Sequence, residues 1–262
     1  MKTLINWQAF LILWIAAILS TAALLPYVLE LQSGVIAQLD IPIPLPALIA
    51  LQIAQSGLIF AILIFFGMLL AKRVGLSTPI LDIFTSGGPV SAKLRGILPI
   101  SIVLGIIASL LIIGLDAYVF QPAILQELGD KAGTLTQTAQ PAAWKGFLAS
   151  FYGGIAEEIQ LRLFVMSLLA WLGSFILKTS EGKPTNTIFW IANILAAVVF
   201  GLGHLPAASL IVPLTTLVVI RIILLNSLGG IVFGWLYQTR GLESAMISHF
   251  SADIVLHVLL AS

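Results

Sequence analysis

Residues 151–164 read FYGGIAEEIQLRLF and decide what kind of protein this is. They place two adjacent carboxylates, Glu157 and Glu158, and one guanidinium, Arg162, inside a run that is otherwise long and apolar enough to cross a bilayer. An ionisable side chain at membrane depth costs roughly 2.5–3.5 kcal/mol even on the mildest scale. A helix that carries three of them is therefore expected to do more than anchor the chain.

The spacing of these three residues separates the two glutamates. Glu158 and Arg162 are four residues apart, so they share one helical face and can form an ion pair. Glu157 lies about 100° around the helix from Glu158, so Arg162 cannot serve both carboxylates equally well. Glu157 is thus the freer carboxylate in a low-dielectric setting, which suits proton transfer. The alternative is a salt bridge between helices that only holds the bundle together.

The composition around this stretch is that of an integral membrane protein. The 262 residues are 60% hydrophobic and 9% charged, with a mean hydropathy of +1.11. Soluble domains have roughly 45–50% apolar and about 25% charged residues. A net charge of +1 provides no basic surface for nucleic acid. The absence of cysteine from the sequence excludes disulfides, a thiolate nucleophile and sulfur-ligated metals.

The apolar runs predict an all-α, polytopic transmembrane bundle of seven or eight spans, with an active site buried between the C-terminal helices. Residues 207–238 form either one span with a re-entrant lead-in or two short spans that meet near Arg221. The first run could also be a signal peptide, but its length favours a retained span. The other expected spans are about residues 7–29, 47–71, 96–120, 145–177, 186–205 and 242–260.

The basic residues predict the orientation of these spans. Lys and Arg cluster around residues 72–95, 178–183 and 240, whereas the loops around 30–40 and 121–140 are acidic or neutral. The positive-inside tendency therefore predicts a cytoplasmic N-terminus, which favours seven crossings. We expect a multi-pass protein of a prokaryotic cell membrane.

Two further apolar runs contain ionisable residues. His204 follows Phe200 by four residues at the end of one run, where a histidine is also common as an interfacial residue or cap. His249 and Asp253 are four apart on one face of the last run, so the carboxylate can orient the ring; a simple interhelical hydrogen-bond pair is equally possible. His257, Asp116, Arg221 and Asn226 are expected to be structural or interfacial.

Together these residues predict a buried reaction centre formed by converging helices. The sequence has no serine in a recognisable nucleophile turn, and the zinc-protease pattern of two histidines around a glutamate is missing. Glutamate and histidine without a protein nucleophile indicate an activated water. Glu157 would act as the general base, His204 would help to orient the water, and His249 would stabilise the oxyanion.

The ordered pattern of Glu157-Glu158-x-x-x-Arg162, Phe200-x-x-x-His204 and His249-x-x-x-Asp253 resembles the CAAX protease and bacteriocin-processing (CPBP, or Abi) family. These proteins are intramembrane glutamic endopeptidases related to the type II CAAX prenyl endopeptidases. The resemblance implies a catalytic core over residues 140–262, preceded by an N-terminal transmembrane region over residues 1–139 with about three spans.

The resemblance implies a role for each motif residue. Glu157 and His204 correspond to the water-activating pair, Glu158, Arg162 and Phe200 to supporting residues, and His249 to the oxyanion-stabilising histidine. Asp253 stands where the prenyl-processing enzymes have asparagine. An ionised aspartate cannot donate to an oxyanion, so we expect Asp253 to orient His249.

The resemblance also implies a membrane peptide or a lipidated protein as substrate, with no metal or other cofactor; the sequence leaves the oligomeric state open. Two alternatives remain. One is a non-proteolytic scaffold or bacteriocin-immunity protein of the same family. The other is a proton-coupled transporter, for which repeated halves with broken helices would be expected. Convergence of Glu157, His204 and His249 on one cavity favours the protease.

Overall fold

The computed structural model describes residues 5–38, 43–129 and 141–260. Parts of the predicted loops around residues 40 and 130–140 lie outside these ranges. The fold is all-α, as predicted. Within the described ranges, the first half forms α1 (Trp7–Leu31), α2 (Ser33–Ile36), α3 (Leu45–Val74), α4 (Pro79–Thr85), α5 (Ser91–Leu115), a π-helical turn (Asp116–Phe120) and α6 (Gln121–Leu128).

The second half contains the glutamates in a helix with two π-helical segments. It consists of α7 (Ala143–Phe151), π-helical segments Tyr152–Glu157 and Ile159–Met166, α8 (Ser167–Gly173), α9 (Asn186–Gly203), α10 (Leu205–Ser209), α11 (Thr216–Arg240), α12 (Leu242–Ile254) and a final π-helical turn (Val255–Leu259).

Side-chain caps mark the beginnings of three long helices. The Oδ1 atom of Asn6 accepts from the backbone N–H of Ala9 at the start of α1. Thr185 and Thr215 accept in the same way at the starts of α9 and α11. These bonds satisfy N–H groups that have no partner within the helix, so the sequence defines where the helices begin.

Five described helical runs are long and apolar enough to cross a membrane, judged by length and composition. The chain is an integral membrane protein. The predicted total of seven or eight spans stays a prediction, since the runs that contain Glu157 and His249 are not among the five. Those five are Trp7–Leu31, Leu45–Val74, Ser91–Leu128, Asn186–Ser209 and Thr216–Arg240.

For residues 207–238 the sequence left two alternatives, one span with a re-entrant lead-in or two short spans, and the structure excludes the second. A single helix, α11, runs from Thr216 to Arg240, so the alternative of two short spans meeting near Arg221 is wrong. Arg221 does not interrupt α11 because its guanidinium binds the carboxylate of Asp116 on the neighbouring helix, at 2.5 and 2.6 Å. The run that contains Asp116 also continues beyond its predicted end, through α6 to Leu128.

Close helix packing puts the C-terminal helices around α12. This helix packs against α5, α7, α11 and the π-helical segment that ends at Glu157. At the α9–α11 contact, Asn193 is buried and its Nδ2 donates to the carbonyl of Ile231 at 2.9 Å. A Cβ atom on Gly234 would collide with Oδ1 of Asn193, so glycine permits this approach.

Gly234→Ala is therefore expected to destabilise the protein by about 1–3 kcal/mol, the usual cost of overpacking a tight contact. Thermal unfolding in detergent micelles measures the effect. Gly114→Ala is the matched control, because a Cβ at Gly114 on α5 meets no atom within 4 Å. An unchanged melting temperature for Gly234→Ala would contradict the packing described for α9 and α11.

Candidate active site

The paired glutamates lie where the helix changes its hydrogen bonding. Glu157 ends one π-helical segment, and Glu158 stands between it and the next. Such π-helical turns are rare and occur often at functional sites. A Cβ on Gly153, in the first segment, would collide with Asp253 and lie 3.2 Å from Nε2 of His249. Glycine at this position thus allows α12 to bring His249 and Asp253 against the glutamate helix.

Glu158 binds two partners in the protein interior. Its Oε1 atom lies 3.2 Å from Nη1 of Arg162 and accepts a hydrogen bond from Nδ1 of His249 at 2.8 Å. Arg162 also donates from Nη2 to the carbonyl oxygen of Gly230 at 2.9 Å. Glu158 is fully buried and Arg162 is 1% exposed. These contacts connect the glutamate helix to α11 and α12 without contact with solvent.

Two phenylalanine rings pack against Arg162 and His249. The guanidinium carbon of Arg162 lies 5.2 Å from the ring centre of Phe200 and 5.5 Å from that of Phe233, within range of cation–π attraction. The ring of His249 stacks on Phe233 with centroids 4.5 Å apart and planes 20° from parallel. Its Nδ1 is bound by Glu158, so the position and tilt of the imidazole are fixed.

The other nitrogen of His249 faces two carboxylates. Its Nε2 lies 3.6 Å from Oε2 of Glu157 and 3.7 Å from Oδ1 of Asp253. The expectation that Asp253 orients His249 needs correction, because Glu158 makes the hydrogen bond that holds the ring. Asp253 instead lies beside Nε2, on the side of the ring that faces Glu157.

His204 lies one helical turn after Phe200, and its imidazole contacts the ring of Phe200. The two rings are 4.8 Å apart at their centres, and the ring of Phe200 is also 5.5 Å from that of His249. Nδ1 of His204 lies 2.8 Å from the carbonyl oxygen of Phe200. A carbonyl can only accept, so Nδ1 carries the proton and a neutral His204 has its lone pair on Nε2.

A cavity of about 810 Å³ brings the predicted catalytic residues together. Glu157, His204, His249 and Asp253 all line it, together with the ring of Phe200. Glu158 and Arg162 are buried and do not line it, and their supporting role stays a prediction. The structure therefore separates the adjacent glutamates: Glu157 faces the cavity, with its side chain 19% exposed, and Glu158 faces the protein.

The sequence reasoning did not place His257 or Tyr27 in the cavity wall. His257, expected to be interfacial, lines the cavity, and its Nδ1 lies 3.5 Å from the hydroxyl of Tyr27. The spacing contained a signal, since His257 follows Asp253 by four residues, as Asp253 follows His249. No sequence signal marked Tyr27, which lies on α1.

Removing the charge of Arg162 should destabilise the protein, because Glu158 would stay buried without its ion-pair partner. We expect Arg162→Met to cost about 3–5 kcal/mol, measured by thermal unfolding in detergent micelles. The double variant Glu158→Gln/Arg162→Met removes both charges and should recover most of that loss. Equal melting temperatures for the single and double variants would contradict the proposed coupling.

Comparison with known protein families gives a match to the C-terminal part of the chain. Residues 139–255 match the family model described as type II CAAX prenyl endopeptidase Rce1-like. No curated protein and no solved structure matches the chain. The matched range contains all the residues of the three motifs, and the family is one of proteases. Residues 139–255, a little under half of the chain, are therefore similar to the Rce1-like type II CAAX prenyl endopeptidases, which is consistent with CPBP family membership.

Proposed function

We propose that the protein is an intramembrane endopeptidase that cleaves a membrane-embedded or lipidated peptide with an activated water. One observation carries this proposal: Glu157, His204 and His249 line a single cavity, while a buried ion pair supports them from behind. Dispersed positions would have favoured a scaffold. The match to a protease family adds to the geometric argument.

In the proposed reaction, water attacks the carbonyl carbon of the scissile peptide bond. Glu157 takes one proton from the water, and Nε2 of His204 accepts a hydrogen bond from it and orients the oxygen. The new C–O bond leaves an oxyanion on the former carbonyl. When this intermediate collapses, the C–N bond breaks and Glu157 passes its proton to the leaving amine.

His249 is suited to stabilising the oxyanion. A proton on Nε2 can be donated towards the cavity, while Nδ1 stays bound to Glu158. We propose that Asp253 stabilises the charged imidazolium through its position 3.7 Å from Nε2. Asp253 would then support the oxyanion site without contacting the oxyanion itself.

The proposed topology has seven crossings and a cytoplasmic N-terminus. The helices that contain Glu157 and His249 would cross the membrane in addition to the five apolar spans. Much of the cavity wall is apolar, including side chains of α1 such as Leu24 and Val28. Such a wall suits a substrate that is itself apolar or carries a lipid.

Glu157→Gln keeps the size of the side chain but removes the base. We expect cleavage to fall about 10²–10⁴-fold, the usual contribution of a general base. Mass spectrometry of membrane peptides from cells with either protein measures this: termini produced by the wild type should be lost with the variant, and they would identify a substrate.

Glu181→Gln is the matched control, since Glu181 is exposed in the loop before α9 and does not line the cavity. Its peptide profile should equal that of the wild type. If Glu157→Gln gave the wild-type profile and still complemented a deletion phenotype, the catalytic role would be wrong. A non-proteolytic scaffold or immunity protein would then be the better explanation.

We also propose that no metal takes part, because side chains supply both the base and the oxyanion donor. The purified enzyme should then cleave its peptide at the same rate with and without EDTA or 1,10-phenanthroline. A loss of activity that returns on addition of Zn²⁺ would show that this mechanism is wrong.

A further inference from the structure

A second charged pair lies in the wall of the same cavity, outside the proposed catalytic machinery. Arg221 of α11 lines the cavity, and its Nε and Nη2 bind both carboxylate oxygens of Asp116. Gln121 also contacts Asp116, with its Nε2 3.3 Å from Oδ2. A charged pair inside helices of this hydropathy is costly, so its place in the cavity wall calls for a functional explanation.

The ion pair with Asp116 leaves some N–H donors of Arg221 unused. A guanidinium has five N–H donors, and Asp116 takes one from Nε and one from Nη2. Nη1 of Arg221 has no hydrogen-bond partner within the described residues, and Arg221 is 33% exposed. The bidentate bond fixes the plane of the guanidinium. Arg221 thus presents preorganised donors to whatever occupies the cavity.

Asn226 adds an acceptor to the same wall. It also lines the cavity, and its Nδ2 donates to the carbonyl of Ile222 at 2.8 Å, which leaves Oδ1 available. Donors from Arg221 and an acceptor from Asn226 match the C=O and N–H of a peptide group. Since Asp116 neutralises Arg221, this site favours a neutral peptide group over a carboxylate.

The distance to the catalytic centre fits an extended peptide. One face of α11 lines the cavity from Arg221 to Phe233, the ring on which His249 stacks. Twelve residues of helix span about 18 Å. An extended peptide covers this distance in about five residues, at about 3.3 Å each.

We propose that Arg221, fixed by Asp116, forms with Asn226 a subsite that binds a backbone peptide group of the substrate about five residues from the scissile bond. The subsite makes Arg221 a specificity-determining residue and Asp116 a positioning residue. It predicts that the enzyme prefers peptides that extend this far from the cleaved bond. The proposal rests on the peptidase function proposed above.

The test uses synthetic farnesyl-cysteine peptides with two, four, six or eight residues on either side of the modified cysteine, as free acids and as amides. For Arg221→Gln we expect KM to rise about tenfold to a hundredfold with peptides that reach the subsite, the range for a hydrogen bond to a charged group. Short peptides should be unaffected, and kcat should stay unchanged. Free acid and amide should behave alike.

Binding to the Glu157→Gln protein separates this proposal from the proposed function. Long peptides should bind it more weakly when Arg221→Gln is added, and this binding is measured while cleavage by both proteins is slow. Cleavage by the wild type with no effect of Arg221→Gln at any length would overturn the subsite and leave the peptidase intact. Length-dependent binding without wild-type cleavage would support the subsite and contradict the peptidase; failure to bind any peptide would contradict both.

A charge swap separates a subsite from a merely structural pair. Asp116→Arg/Arg221→Asp can restore the ion pair between the two helices, but it moves the guanidinium off α11. We expect a wild-type melting temperature together with the raised KM of Arg221→Gln. Recovery of the wild-type KM by the swap would show that the pair only holds the helices together. An effect of Arg221→Gln on free-acid peptides but not on amides would exclude binding of a peptide group.

Discussion

The buried ion pair of Glu158 and Arg162 is the interaction on which the site depends. Two charges removed from water are costly, and their attraction alone often fails to offset that cost. Here each partner has a second contact: Arg162 binds the carbonyl of Gly230, and Glu158 binds His249. The pair therefore connects three helices at one point. Its value to the protein lies in fixing the imidazole of His249 beside Glu157, which a pair of apolar side chains could not do.

Glu157 and Glu158 differ in their surroundings because their helix lies between the cavity and the protein interior. Glu158 faces the interior and Glu157 the cavity, so one carboxylate holds the ring of His249 and the other lies where proton transfer is proposed. The π-helical segments on both sides of Glu158 and the glycine at position 153 let α12 approach closely enough for both contacts. Backbone geometry, and not residue type, thus separates the roles of the two glutamates.

Local spacing predicted the contacts within one helix but not those between helices. The pairing of Glu158 with Arg162 followed from their four-residue separation, and the apolar runs located most of the long helices, although the run that contains Asp116 ends at Leu128 and not near residue 120. The hydrogen bond from His249 to Glu158 joins residues 91 positions apart, so spacing assigned that role to nearby Asp253 instead. Similarly, Arg221 resembled a break in a span because its partner Asp116 is 105 positions away. The π-helical turns left no recognisable pattern in the sequence.

The family match and the cavity wall cover different parts of the chain. The match begins at residue 139, yet Leu24, Tyr27 and Val28 of α1 form part of the cavity wall. The chemical groups all lie within the matched range, whereas the surfaces that a substrate must contact come from both parts of the chain. The cavity wall is therefore not confined to the matched range, although Arg221 and Asn226 of the proposed subsite belong to that range. In the proposed peptidase, a change in α1 would alter the cavity wall around Leu24, Tyr27 and Val28 without removing any of the groups proposed for catalysis.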